Sequence, residues 1–218
     1  MKEVINNSIM KNLVCLMLTG MILCALIAIV IPVKAQATPQ INGSSLNLSF
    51  SSRVMNSYEL PREIDVLISS DFNGKYTRSD VIAATWVSIG DKFKFSSPVN
   101  GALPTVVTPS GNVDISDLLV ADKPLYIAFR YKSEGVPPSS RMSRVWRIEN
   151  FLLTHETAGQ STEIAAQSSG LWTLVQDGTI DLGRGGISQT SRLLFQANKE
   201  NLDVPLESWA ISKPLKLK

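Results

Sequence analysis

His155 is the single histidine of this chain, and both of its cysteines, Cys15 and Cys24, fall within the first 37 residues. Together these facts remove much metal and nucleophile chemistry. A zinc site built from several imidazoles has one to draw on, and no thiolate is left to replace the others. A Ser-His-Asp arrangement would have to use His155, yet no Gly-x-Ser-x-Gly elbow precedes it. With Glu156 beside it after a strand, His155 reads as an exposed loop histidine. Carboxylates remain: Asp114, Asp117, Asp122, Glu134 and Glu149. Glycoside cleavage needs two acids about 5–10 Å apart, one with a raised pKa. No spacing singles out such a pair, and Glu149 with Arg147 on the same strand face reads as a surface charge pair. The chain is read as a non-enzyme.

Oxygen donors gather in one loop, where Asp71, Asn73 and Asp80 surround Gly74. They are the candidate metal ligands, for a structural calcium of the kind held by loop carboxylates and carbonyls. The other reading is an Asx turn, since Asp-Phe-Asn-Gly lacks the longer ligand run of an EF-hand. Sugar binding calls for aromatic platforms beside hydrogen-bonding groups. Trp86, Trp146 and Trp172 sit inside apolar strand patterns and belong to a core. Trp209, near the last strand, suits either core or surface, and Tyr76 lies in a loop as an exposed contact. Tyr76 and Trp209 are the candidate ligand-binding residues. Gly135 to Ser140, rich in Pro and Ser, reads as a stiffened hairpin loop.

The elements that must carry these residues are strands. Leu46, Leu48 and Phe50 alternate with polar residues, and Ile64 to Ser70 follows as a second strand. Val81 to Ile89 reads as a strand or a short helix, because its alanine pair and Thr85-Trp86-Val87 pull in opposite directions. Val106-Val107 fits a short edge strand, and Val113 to Leu119 a turn leading into one helical turn. Pro124 to Lys132 is the clearest strand, with Leu125, Ile127, Phe129 and Tyr131 on one face. In Ser143 to Leu153, Trp146, Ile148 and Leu152 share a face with Asn150, and a polar residue there predicts a bulge or strand end. Glu156 to Gly170 reads as a loop with a short helix. Leu171 to Val175 and Arg192 to Phe195 read as strands, separated by a glycine-rich loop or hairpin. Trp209 to Leu217 is expected at a sheet edge, with Pro214 limiting its pairing. Eight or nine short strands with turns between them and no internal repeat describe an all-β sandwich.

An apolar run from Leu13 to Val33 follows Lys2 and Lys11, and Ala35-Gln36-Ala37 suits signal peptidase, so residues 1–37 read as a cleaved secretory signal. Met10 also suits a start. The run's 21 residues would equally cross a bilayer as an uncleaved anchor. Lipid attachment at Cys24 or Cys15 is a further reading, though Leu23 fits poorly before Cys24. Residues 38–218 form a single domain. A chain of about 180 residues buries roughly 70% of its unfolded surface and needs no disulfide. Residues 1–37 hold three lysines and one glutamate, so without them the formal charge falls from +2 to zero. A neutral domain argues against nucleic acid as a partner.

Several runs in order carry a resemblance. They are Leu67 to Gly74, Ala84-Thr-Trp86, Ser110-Gly111 with Val113 to Asp117, Lys123 to Tyr131, Trp146 to Phe151, and Glu207 to Leu215. Over about residues 44–217 the chain resembles an exported Bacteroidetes family, domain of unknown function 5017. Its central run is similar to the cleaved-adhesin and choice-of-anchor sandwich domains. The resemblance implies a jelly-roll-like antiparallel β-sandwich at the periplasm, cell surface or outer membrane, beside polysaccharide-uptake systems, with no catalytic residues to carry over. Two departures stand beside it. The Phe-Tyr-Ser-Gly-Glu module usual in the family has no counterpart in the sequence, and the residues before the cysteines do not fit lipid attachment. The expectation is an exported, non-catalytic accessory protein binding glycan, or an adhesin-like protein-binding or structural envelope module.

Overall fold

The computed structural model describes residues 43–55, 62–97, 106–133, 145–176, 179–181, 192–196 and 205–216. Residues 1–37, read as a secretory signal, Glu134 and the 135–140 loop lie outside them.

Two antiparallel sheets form a sandwich. The first contains β1 (Ser44–Met55), β4 (Thr108–Pro109), β5 (Val113–Asp114), β7 (Val145–Thr157), β8 (Gln160–Ala166), β10 (Thr179–Asp181) and β11 (Leu193–Gln196). Its order is β10-β11-β7-β1-β4, with β5 on β1 and β8 on β7. The second contains β2 (Ile64–Ser69), β3 (Val87–Ser88), β6 (Tyr126–Ser133), β9 (Trp172–Gln176) and β12 (Leu206–Ser212), ordered β3-β2-β6-β12-β9.

The alternating residues meet between the sheets. Leu46, Leu48 and Phe50 of β1 face Ile127, Phe129 and Tyr131 of β6 across one core. Phe129 stacks edge-on against Phe50 at 5.1 Å and Trp172 at 5.6 Å, and Trp172 meets Phe151 at 5.0 Å. Burial of such rings, at roughly 25 cal/mol per Å² of apolar surface, is the main force holding the sheets together.

The bulge expected near Asn150 is present. The β1–β7 pairing shifts between Ser51↔Glu149 and Ser49↔Leu152, one extra residue on β7, and Asn150 takes φ +55. Asparagine tolerates that left-handed conformation better than most residues. The bulge flips the parity of the strand. Trp146 and Ile148 are followed in the core by Phe151 and Leu153, and Leu152, expected on that face, is turned away and half-buried.

Other expectations change. Val81 to Ile89 holds both alternatives: helix α1 (Arg78–Ala83), capped by Thr77, then β3. The short edge strand begins after Val107, at Thr108. Glu156 to Gly170 is a β-hairpin rather than loop and helix. Ala158 and Gly159, at φ +52 and +79, make its two-residue turn between Thr157 and Gln160. Positive φ at both central residues matches the right-handed twist of the flanking strands. Much of β8 is solvent-exposed, so no apolar alternation marked it. His155 therefore lies within β7, opposite Leu46 and Thr162, rather than in a loop. The last strand is not an edge. β12 pairs with β6 on one side and β9 on the other, and Pro214 falls beyond its end.

Candidate functional site

The loop after β2 is built from its own hydrogen bonds. Ser69 Oγ accepts from Phe72 N at 3.1 Å and donates to Asp71 at 2.8 Å. Asp71 also accepts from Thr85 N at 2.9 Å, which ties the two ends of the segment together. Burial alone would raise the Asp71 pKa, but the hydrogen bonds from Thr85 and Ser69 outweigh it and hold the carboxyl below its usual value. Asn73 Nδ2 donates to Asp80 at 2.6 Å, and the Thr77 hydroxyl donates to the other Asp80 oxygen. Those bonds from Thr77 and Asn73 lower the Asp80 pKa. Asp71 and Asn73 lie in the loop and Asp80 in the first turn of α1, with Asp71 Oδ1 accepting from Ser69 and Thr85 and both Asp80 oxygens accepting from Asn73 and Thr77. Among the described residues there is no group of three or more His, Cys, Asp or Glu side chains placed to hold a metal.

This segment lies over the outer face of the second sheet. Phe72, Tyr76, Val81 and Trp86 pack on Leu67, Tyr126, Ala128, Val175, Trp209 and Ile211, forming a second apolar cluster. Trp209 is 7% exposed, stacked on Trp86 at 5.3 Å with the Arg130 guanidinium 5.4 Å from its ring. Tyr76, expected as an exposed contact, is half-buried. Its ring meets Phe72 at 5.4 Å and its hydroxyl donates to Ser212 O at 3.1 Å. Burial, then the neighbouring Tyr126, raises its pKa. The structure brings Tyr76 and Trp209 into one cluster, with neither ring laid open as a platform.

The acids are dispersed. Asp114 accepts from Ser116 N and Oγ at 2.9 and 2.6 Å, and the Ser116 side-chain bond depresses its pKa. Asp117 lies 3.8 Å from Lys92. Asp122 occupies a turn with φ +60. That turn borders an open groove of about 720 Å³ between Leu119–Tyr126 and Pro214–Lys216, which brings Asp122, Lys123, Pro124 and Lys216 to its walls. A Leu125↔Leu215 bridge fixes the two walls together.

One cluster was not legible as such. Arg147 and Glu149 read as a charge pair along β7; Glu149 does act on Arg147, and it also lies 4.0 Å from Arg53 and 4.0 Å from Arg192. Strand register, which a sequence does not display, assembles these residues from β1, β7 and the start of β11.

A family model matches residues 38–172, and its description is Domain of unknown function (DUF5017). No curated protein and no solved structure matches the chain.

Proposed function

Because the chain belongs to that family, whose description assigns no activity, we propose its role from the domain itself: an exported, non-catalytic accessory protein of the cell envelope that binds glycan. The observation that carries this reading is the groove at one end of the sandwich. Its walls mix apolar residues with the charged groups of Asp122, Lys123 and Lys216. Ligand sites of this kind pair apolar lining with a few placed polar groups. Export follows from the basic, apolar and small-residue order of residues 1–37. Origin in Bacteroidetes and kinship with adhesin-type sandwiches belong to the same reading. Since Trp209 and Tyr76 are packed into the outer cluster, recognition would run through hydrogen bonds and charge more than through ring stacking.

A glycan-array screen of the full chain, with calcium and again with EDTA, tests this. A specific hit supports the reading, and loss with EDTA adds a calcium requirement in or near Asp71, Asn73 and Asp80. The absence of any hit in both conditions overturns it. The protein-binding alternative has its own observation. Ile82 and Val87 are 61% and 47% exposed, and β3, which carries Val87, is a two-residue sheet edge. An open edge beside apolar side chains is a site for strand addition. Crosslinking in envelope extracts that is abolished by Val87→Lys would favour that alternative.

A further inference from the structure

We propose that the outer face of the seven-stranded sheet carries an anion-recognition site centred on Arg53 and Arg147, flanked by Arg192, whose ligand is the carboxylate or sulfate of an acidic glycan. This rests on the glycan reading above and names its ligand class.

Arg53 and Arg147 are direct cross-strand partners in the β1–β7 ladder. Adjacent strands lie about 4.8 Å apart, and like charges set opposite each other are destabilising. The carboxylate of Glu149 stands in the next row, at 4.0 Å from both Arg53 and Arg192, the outer limit of an ion pair. Arg192 also has other contacts, so Arg53 and Arg147 carry the site. One strand beyond Leu194, which opposes Arg147, β10 places Asp181. Among the described side chains, these rows hold three guanidiniums around the carboxylate of Glu149.

Part of the donor set is unspent. The Nε atoms of both Arg53 and Arg147 are buried without a hydrogen-bond partner. Nε and a terminal nitrogen form the planar fork that matches a carboxylate or sulfate with two parallel bonds. The Arg53 side chain keeps 26% of its surface exposed, but both Nε atoms are buried, so an anion meets the terminal nitrogens first and gains the full fork only as the guanidinium turns outward. Burial lowers the Arg147 pKa, and the charges of Arg192 and Arg53 lower it further, with Glu149 opposing them. An arriving anion would relieve that repulsion. A glycan fits better than a protein surface because the apolar neighbours of Arg147, Val145 and Leu194, are already buried, and the half-exposed Ser49 lies along β1 on the same face. The exposed large hydrophobics, Ile82, Val87 and Val106, all lie elsewhere, and a protein interface draws on an apolar centre.

The test is calorimetric binding of the full chain to chondroitin sulfate, polygalacturonate and neutral dextran. Expected is binding to one or both polyanions that weakens with added sodium chloride and falls at least about tenfold in Arg53→Gln/Arg147→Gln. Arg53→Lys/Arg147→Lys, which keeps charge but loses the fork, should fall between. The two polyanions separate sulfate from carboxylate recognition. Arg147→Gln alone is read in parallel against thermal melts. Its melting temperature should be unchanged or higher, so weakened binding is not unfolding. Polyanion affinity unchanged by these variants overturns the site, as does binding of dextran alone, which leaves the glycan reading standing. Failure to bind any of the three polymers overturns the site and counts against the glycan reading.

Discussion

The outer face of the five-stranded sheet is roofed by aromatic rings from the segment after β2, whereas that of the seven-stranded sheet carries serines, an asparagine and opposed arginines. Both sheets share one inner core, so the contrast lies wholly in what the outward positions do. On the first, Tyr126, Ala128, Trp209 and Ile211 continue inward packing on a second side. On the second, Arg53, Arg147 and Glu149 take outward positions beside the buried Val145 and Leu194. The lesson is that the aromatic residues that look most like ligand platforms in the sequence are packed into the outer cluster, while directly opposed arginines lie on the other sheet.

Removing a roof ring should break the comparison most sharply. Trp209→Ala deletes a ring packed on Trp86 and Arg130. The expected cost is about 3–5 kcal/mol, a melting point lower by on the order of 10 °C by calorimetry. Ser49→Ala on the opposite face should stay within about 0.5 kcal/mol. Equal losses would mean that the two faces do not differ as described.

Gly74→Ala comes next. Gly74 has φ +76, and an added Cβ would stand 2.9 Å from the Tyr126 hydroxyl. The left-handed backbone alone should cost about 1–2 kcal/mol, read from urea midpoints. On the charged sheet, Asn150→Val should cost about 1 kcal/mol at the bulge, while Asn150→Gly should be tolerated. Loss of stability with glycine would show that the Asn150 side chain, not its backbone, matters there.

The smallest effect is acid sensitivity at Asp71. Its folded pKa lies below the ordinary 3.8, so its contribution is complete above that value and is lost as pH falls through the lower folded value. Wild-type stability should therefore fall below about pH 4 more steeply than that of Asp71→Asn. Superimposable pH-stability curves would mean that the Ser69 and Thr85 hydrogen bonds do not favour the charged form.

The fold was legible where one face of a strand is buried. Leu46, Leu48 and Phe50 announced β1, and a polar Asn150 in an apolar row announced the bulge. The polar 156–170 hairpin was not legible, because strands exposed to water need no apolar rhythm. Nor was the central place of β12, since pairing with β6 and β9 is a long-range choice that its local residues do not encode. Of the site, the grouping of Asp71, Asn73 and Asp80 was visible because those residues are close in sequence. Arg53, Arg147 and Arg192 come together through register across three strands, and Tyr76 reads as exposed until the sheet beneath it is known.

The position of β12 also bears on timing. It is the last described strand in chain order, yet it supplies both the outer ladder of β6 and the only ladder of β9 among the described residues. The five-stranded sheet cannot close while Leu206–Ser212 is still to be synthesised, and such long-range pairing is intrinsically slow. The growing polypeptide thus lacks a closed five-stranded sheet until its last described strand has been made.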